Sequence, residues 1–345
     1  MKIILANSED KNRWNNFCKK HNSLPSLSRF EWNNILNSTY NVNTFPILSL
    51  DEKGVVTGIL PIYKIIDYAG MPNFYSLKFG LIADSDLIAN DLVSFAHRLS
   101  QEQGASNINI SSGYKFFPQI QNQTITKTIT LDILESEDEM WNKIRGKARN
   151  MIKKARKDNL VIEQGINNLK EFYSIYSYRM LEKGVRIHSS LYFQNIIEHI
   201  GDKVELFIAR KDSKIIGGMF MIYSGDTAAY IYGGSMVNRG TSPNQLLLWE
   251  MVRFCIGKKI KFLDLGESIE GTGVYNFKIW FGGAPKNIYN YNFSWANENK
   301  FGLSKALNFL RRDFLRYSSY LILRHGTLGL KRRVGIWKRQ KGPLQ

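Results

Sequence analysis

The sequence is poor in the residues that metal sites and disulfide frameworks require. It holds two cysteines, Cys18 and Cys255, without a CxxC motif, and five scattered histidines. These counts argue against thiolate metal sites and against a disulfide framework, and they fit a reducing compartment. We therefore expect no metal site.

Long apolar runs are also absent. No stretch approaches the roughly 18 apolar residues that span a bilayer. The N-terminus, MKIILANSEDKNRW, is too short in apolar length for a signal peptide. We therefore expect a cytoplasmic protein, and peripheral contact with the inner face of the membrane stays open.

Acidic residues are too few to balance the basic ones. The 345 residues include 30 Asp and Glu against 47 Lys and Arg, which gives a net charge of +17. Such a surplus indicates polyanionic partners such as nucleic acid, nucleotide phosphates or an anionic membrane surface. A generally basic proteome is the alternative explanation. The length predicts two domains, and the 43% hydrophobic content is enough for a full core.

Several common catalytic motifs are missing. The sequence has no nucleotide P-loop and no GxSxG elbow. Asp264, Glu267 and Glu270 lie near glycines and could do acid–base work, although acids in such loops more often cap a helix or pair with a base. An enzyme of this kind would hold two substrates in attack geometry. A cation or backbone amides would then stabilise the oxyanion.

The chain repeats one pattern of elements. ILSLDEKGVVTGILPIY (47–63) and FIARKDSKIIGGMFMIY (207–223) both read as a hairpin, with Gly58 and Gly218 at matching places. In both copies a strand, a loop, a helix, a glycine and a strand follow. We predict an α/β (α+β) fold with domains at 1–130 and 131–300, each a mixed, mostly antiparallel sheet flanked by helices.

The second copy carries a basic helical insertion at about 141–184. Ile144, Ala148, Met151 and Ala155 recur at helical spacing. Basic residues flank them with almost no acid to balance the charge, so either a solvated helix or contact with an anion fits. The candidates for phosphate or tRNA contact are Arg145, Arg149, Lys153 and Lys154.

A second helix, LKEFYSIYSYRMLEKG, is predicted to follow the first. Phe172, Ile175 and Tyr176 mark its apolar side, and Gly184 ends it. His188 comes next and could be a ligand or a base. No partner lies at metal-ligand spacing, so we interpret His188 as a hydrogen-bonded polar residue.

Several segments together resemble a known family. RNMIKKARKDNLVIEQG, FYSIYSYRMLEKG, YIYGGS, SPNQLLLWEMV and YNFKIWFGG occur in the order found in the FemAB-like peptidoglycan-bridge aminoacyltransferases. Their wider clan includes the BioF2-like acyltransferases of the GNAT superfamily. The resemblance covers about residues 10–295 and implies two tandem GNAT-like domains. It also implies transfer of an acyl group to an amine, from aminoacyl-tRNA or acyl-CoA, with no tightly bound cofactor.

The resemblance also suggests site residues. Phe277 and Lys278 match the family's Phe-Lys pair near the reacting centre, where the lysine would face the donor. Tyr192 matches a tyrosine that lines the acceptor site, and Tyr232 or Tyr230 lies in the matching glycine-containing strand. One departure is that His188 stands where relatives have an arginine that binds acceptor phosphate.

In this sequence Arg186 lies two residues before His188. This departure puts a UDP-linked muropeptide acceptor in doubt. The long coiled-coil arm of some bridge-forming members is also missing, which favours compact members or those outside peptidoglycan synthesis.

Residues 301–345 form a basic tail beyond the resemblance. The tail has eleven basic residues against one acid, Asp313, with aromatic residues interleaved. An amphipathic helix of this kind fits an anionic membrane surface, a tRNA backbone or a helix packed on the core. We rank the membrane first because lipid-linked glycan acceptors lie there.

Three functions stay open on the sequence. The first is transfer of an aminoacyl or acyl group to an amine of a cell-envelope precursor, either a muropeptide or an amino sugar of a surface glycan. The second is acyl-CoA-dependent N-acetylation in polysaccharide biosynthesis, for which NRGTSPN at 238–244 could hold pyrophosphate. The third is non-catalytic RNA binding.

Overall fold

The computed structural model describes residues 1–21, 27–67, 70–105, 107–117, 123–236 and 243–294. The strands of the first half are β1 (Lys2–Leu5), β2 (Thr44–Leu50), β3 (Val56–Ile66), β4 (Pro72–Ser76), β5 (Ile82–Ala83) and β6 (Asn107–Ser112). Its helices are α1 (Lys11–Lys20), α2 (Glu31–Tyr40) and α3 (Asp86–Glu102).

The second half follows the same order of elements after an added pair of helices. Its strands are β7 (Gln123–Asp132), β8 (Val161–Gln164), β9 (Val204–Lys211), β10 (Lys214–Ser224), β11 (Thr227–Ser235), β12 (Phe262–Glu267) and β13 (Ala284–Ser294). Its helices are α4 (Glu137–Lys143), α5 (Gly146–Lys157), α6 (Leu169–Glu182), α7 (Ser190–Ile200), α8 (Pro243–Gly257) and α9 (Gly273–Trp280).

All these strands belong to one sheet. Its order is β1-β2-β3-β4-β6-β13-β7-β12-β11-β10-β9-β8, with β5 paired to β3. The pairing is antiparallel except between β4 and β6 and between β11 and β12, where a helix crosses over. The predicted mixed, mostly antiparallel α/β fold with two repeated halves is confirmed.

The predicted domain boundaries stay a prediction. Strand β7 runs through residue 130 and pairs with β12 of the second half, and β13 lies between β6 and β7. The predicted helical tail at 301–345 lies outside the described residues.

Helices cover both faces of the sheet. In the first half α3 packs on one face and α1 on the other. In the second half α4, α5 and α8 share one face, while α6 and α7 lie on the opposite face together with α2 of the first half. Helix α2 therefore ties the first half to the second.

The basic insertion forms two helices. Helix α4 ends before Ile144, which is extended, and α5 begins at Gly146. The buried residues of α5 are Ala148, Ile152 and Ala155, whereas Met151 is half-buried. The predicted apolar face is thus correct for Ala148 and Ala155. Ile152 takes the place given to Met151, and Ile144 is buried but lies in the break between the helices. Helix α5 packs against α8.

The repeated glycines lie where helices cross the sheet. A Cβ at Gly58 would come within 2.8 Å of Leu92 Cδ1 on α3. A Cβ at Gly217 would come 3.1 Å from Leu247 Cδ1 on α8, the counterpart of α3. The structural equivalent of Gly58 is therefore Gly217, one residue before the Gly218 that the sequence pairing suggested. Helix α6 instead lies over Gly218.

The contact at Gly218 predicts a stability defect. A Cβ there would come 2.8 Å from Phe172 Cδ2 and 3.0 Å from Ile208 Cδ1. Overpacking of this kind costs about 1–3 kcal/mol, so Gly218→Ala should lower the free energy of unfolding by that amount. The control is Gly257→Ala, where nothing lies within 4 Å of the added Cβ. Urea titration of both variants checks the prediction, and equal stability of the two would contradict it.

Candidate functional site

Helix α9 contains the predicted catalytic lysine, Lys278, and both ends of this helix are fixed by specific contacts. Thr272 caps the helix by accepting a hydrogen bond from the Tyr275 amide at 3.2 Å. At its end Gly282 has a φ of +87°, and a Cβ at Gly283 would come 2.5 Å from Ile129 Cγ2. The two glycines after the Phe-Lys pair therefore allow α9 to pass directly into β13 against β7.

Lys278 is buried and points at the end of β12. The residue is 4% exposed. Its Nζ donates hydrogen bonds to the carbonyl oxygens of Gly266 at 2.9 Å and Glu267 at 3.0 Å. Gly266 has a φ of +78°, a conformation that favours glycine. Phe277 is half-buried and meets the Phe281 ring edge-on at 5.6 Å.

Two carboxylates, Asp264 and Glu267, and a second lysine, Lys78, lie at the end of β12 that Lys278 contacts. Asp264 is buried, and its Oδ1 accepts hydrogen bonds from Thr128 Oγ1 and from the Gly266 amide. The pKa of Lys278 is lowered to about 8, chiefly by burial. Within this net shift Asp264 and Glu267 raise the pKa, whereas the charge of Lys78 lowers it. A lysine with such a pKa can be cationic or neutral near neutral pH.

Lys78 is a site residue that the sequence reasoning missed. It follows β4 in the first half, yet its Nζ lies 3.8 Å from Asp264 Oδ2 and 3.4 Å from Glu267 Oε1 of the second half. The available signal was its place in YSLKFG, the first-copy counterpart of YIYGGS. Nothing in the sequence indicated that it crosses to the other half.

The predicted acceptor residues form a separate aromatic cluster on the face covered by α6 and α7. The His188 ring stacks on Tyr192 at 4.4 Å and meets Tyr232 edge-on at 5.4 Å, and the Tyr232 hydroxyl donates to the Tyr192 hydroxyl at 3.2 Å. Tyr40 of the first half hydrogen-bonds to His188 Nδ1. Burial lowers the pKa of His188 to about 3, so its ring is neutral. The structure thus places His188 in a closed polar network.

A bulge in β11 separates the two candidate tyrosines. Tyr232 pairs with Phe220 and Tyr230 with Met221, so Ile231 is the extra residue. Since neighbouring residues of β10 face opposite sides, Tyr232 joins the aromatic cluster while Tyr230 packs on the α8 face. Burial raises the pKa of Tyr230 to about 12. Only Tyr232 is therefore placed with Tyr192.

Of the remaining predicted basic residues, Arg145 contacts the end of α9, and the others lie elsewhere on the second half. The Arg145 amide donates to the Trp280 carbonyl at 2.8 Å, and Arg149 Nη1 donates to the Trp141 carbonyl at 3.4 Å. The α4–α5 junction is thus hydrogen-bonded to the end of α9. Further along α5, Lys153 and Lys154 are exposed, and Arg186 is exposed beyond α6.

Within the described ranges, no group of three or more His, Cys, Asp or Glu could hold a metal ion. No described helix is long and apolar enough to cross a membrane. The proposed pyrophosphate loop falls largely on 237–242, outside the described residues. A surface groove of about 450 Å³ between β8, α5 and α8 contains Arg156 and Glu250 but neither Lys278 nor the aromatic cluster.

The neutral histidine predicts an acid-sensitive fold. Because the pKa of His188 is about 3 when folded and near 6.5 when unfolded, the unfolded chain binds more protons between these values. Stability should therefore fall by about 1–2 kcal/mol more in the wild type than in His188→Gln between pH 6.5 and 5. Urea unfolding at both pH values measures this. His199→Gln, on α7, is the control and should behave as the wild type. Parallel losses in all three proteins would contradict the assignment.

The comparisons with known proteins agree with this fold. Residues 142–278 match the acetyltransferase (GNAT) domain family. A search of the curated proteins found no match. Among solved structures, FemX is 16% identical with a TM-score of 0.69, over 85% of this chain and 98% of that one.

Two further structures share the fold. The C-terminal domain of a putative lysylphosphatidylglycerol synthetase from Agrobacterium fabrum is 12% identical with a TM-score of 0.57, over 90% of this chain and 98% of that one. A tandem GNAT protein from the clavulanic acid biosynthesis pathway is 10% identical with a TM-score of 0.53, over 86% and 99%. Residues 142–278 therefore match the GNAT acetyltransferase domain family, which supports an acyltransferase, and the chain shares its fold with FemX.

Proposed function

We propose that the chain transfers an aminoacyl or acyl group to an amine of a cell-envelope precursor, and that Lys278 stabilises the oxyanion formed on the donor carbonyl. The observation that carries this is the buried Lys278 ammonium, held by two backbone carbonyls at the end of β12. An ammonium in such a water-poor place acts more strongly on a developing negative charge than one in water.

The pairing of β11 with β12 ends before the part of β12 that Lys278 contacts. β11 and β12 pair only from Thr227 to Ala229 with Phe262 to Asp264, although both strands continue beyond this point. The Lys278 contacts at Gly266 and Glu267 lie in the part of β12 past that pairing. A donor acyl chain entering between the diverging strands would bring its carbonyl next to the ammonium.

The reaction needs no covalent enzyme intermediate in this proposal. The two cysteines are buried, burial raises the pKa of Cys255 to about 12, and burial raises that of Cys18 as well. Neither thiol is therefore an activated nucleophile. The acceptor amine attacks the donor carbonyl directly and forms a C–N bond, with the oxyanion next to Lys278. The C–O or C–S bond of the donor then breaks, and the alcohol or thiol leaves with the proton that the amine loses.

The acceptor is assigned to the face that carries Tyr192 and Tyr232. His188 is neutral, so the network supplies no positive charge there, and Arg186 is the exposed cation nearby in sequence. This argues against an acceptor held by phosphate at His188. The names of FemX and of the lysylphosphatidylglycerol synthetase support an envelope precursor.

Two donors have support. The basic junction at Arg145 and the exposed lysines of α5 favour aminoacyl-tRNA, since this helix is joined to α9. The GNAT domain match favours acyl-CoA, as does the shared fold of Saccharomyces cerevisiae N-myristoyltransferase with bound myristoyl-CoA, which is 8% identical with a TM-score of 0.51. Contact of the basic tail with the membrane also stays a proposal.

Removing the Lys278 charge should stop transfer without unfolding the protein. Loss of one oxyanion donor costs about 10²–10³ in rate, so Lys278→Met should lose that much turnover while still binding donor. Donor binding is measured by titration with acetyl-CoA and with charged and uncharged tRNA at two salt concentrations. Lys286→Ala, whose ammonium lies 5.2 Å from the Phe262 ring, is the control. Unchanged turnover in Lys278→Met would remove the assignment. Salt-sensitive RNA binding without transfer in any variant would favour the non-catalytic function.

The pKa of Lys278 predicts the alkaline side of the rate profile. As pH rises through about 8, Lys278 loses its proton and can no longer stabilise an oxyanion. Transfer by the wild type should therefore fall above pH 8. In Lys278→Arg, which stays charged, the fall should be absent while some activity remains. The measurement is kcat/KM between pH 6.5 and 9.5, and the same fall in both proteins would assign it to another group.

A further inference from the structure

The turn that carries Lys78 is fixed by the first half. Phe79 has a φ of +57°, and its carbonyl accepts a hydrogen bond from Ser28 Oγ at 3.2 Å. A Cβ at Gly80 would come 2.7 Å from the Leu77 carbonyl oxygen. Leu77 itself packs against the core around α2, α6 and α7. The direction of the Lys78 side chain is thus set by a tight turn rather than by a surface loop.

The two carboxylates that meet Lys78 differ in how firmly they are held. The Asp264 side chain is 2% exposed and is fixed by Thr128 and by the Gly266 amide. The Glu267 side chain is 33% exposed, and it is the nearer of the two to Lys78, at 3.4 Å. Asp264 is therefore a permanent partner, whereas the carboxylate of Glu267 can swing away at little cost.

Lys278 approaches the same stretch from the other side. It contacts the carbonyl oxygens of Gly266 and Glu267, while Lys78 contacts the side chains of Asp264 and Glu267. Each half of the chain thus supplies one ammonium to this turn. The two carboxylates balance the two lysines, so moving Glu267 away gives this stretch one more positive charge than negative charge.

We propose that Lys78 binds a phosphate group of a substrate beside the Lys278 ammonium, and that the Glu267 carboxylate occupies this site in the free protein. The substrate phosphate takes the place of Glu267 at Lys78. This deepens the proposed function, because the phosphate belongs to the donor or to the acceptor of the transfer. It also makes the first half part of the active site.

Phosphate binding tests the proposal without any turnover. The probe is inorganic phosphate, titrated calorimetrically into the purified chain. Glu267→Gln should bind it several-fold more tightly, because the competing charge is gone. Lys78→Ala should bind it about tenfold more weakly, as expected for one charge-assisted hydrogen bond, and Lys78→Arg should keep most of the affinity. The control is Lys127→Ala, an exposed lysine 3.7 Å from Glu270, which should match the wild type.

Competition then identifies the source of the phosphate. Coenzyme A displaces inorganic phosphate where the site serves a donor, and uridine diphosphate displaces it where the site serves an acceptor. Failure of both to displace it, or equal phosphate affinity in the wild type and Glu267→Gln, would overturn the proposal. Circular dichroism and thermal melting confirm that Lys78→Ala is folded, and Glu267→Gln decides the case if it is not.

The two proposals can fail separately. Normal transfer in Lys78→Ala with none in Lys278→Met would overturn the phosphate site and leave the proposed function intact. Phosphate binding that depends on Lys78 and Glu267, in a chain that transfers no acyl group, would do the reverse.

Discussion

The insertion of β13 between β6 and β7 is the constraint on which the site depends. Strand β13 pairs with the last strand of the first half and the first strand of the second, so both halves share one sheet. Helix α9 runs straight into β13 through Gly282 and Gly283. The position of Lys278 is therefore set by the junction of the halves, and the same junction brings Lys78 of the first half to β12.

Burying Lys278 has a cost that its surroundings offset only in part. Taking an ammonium out of water costs several kcal/mol, and the lowered pKa of about 8 shows that the compensation is incomplete. The carbonyls of Gly266 and Glu267 accept hydrogen bonds from two of its three donors, while Asp264 and Glu267 supply negative charge. A lysine whose pKa is only about 8 is not fully compensated by its surroundings. In the proposed function it can therefore stabilise the oxyanion, a negative charge that exists only during the reaction.

The sequence predicted what depends on local pattern. The duplication and the helix ending at Gly184 both follow from spacing and periodicity, while the role of the Phe-Lys pair stays a prediction from motif resemblance. What it did not predict depends on pairing between distant segments. The bulge at Ile231 sends Tyr230 and Tyr232 to opposite faces, and a one-residue irregularity in a strand leaves no mark in composition. Lys78 is one of many surface-like lysines in the sequence until the sheet order places it beside Asp264.

The two halves share a plan but bring different residues to the candidate site. After β12 the second half forms α9, which buries Lys278, whereas the first half forms no helix between β6 and residue 117, and Lys115 there is exposed. The first half thus lacks a buried lysine at the matching place. It instead supplies Tyr40, which hydrogen-bonds to His188 in the aromatic cluster, and Lys78, which pairs with Glu267 next to Lys278. In a duplicated fold, one copy can thus contain the proposed reacting centre while the other copy contributes residues that surround it.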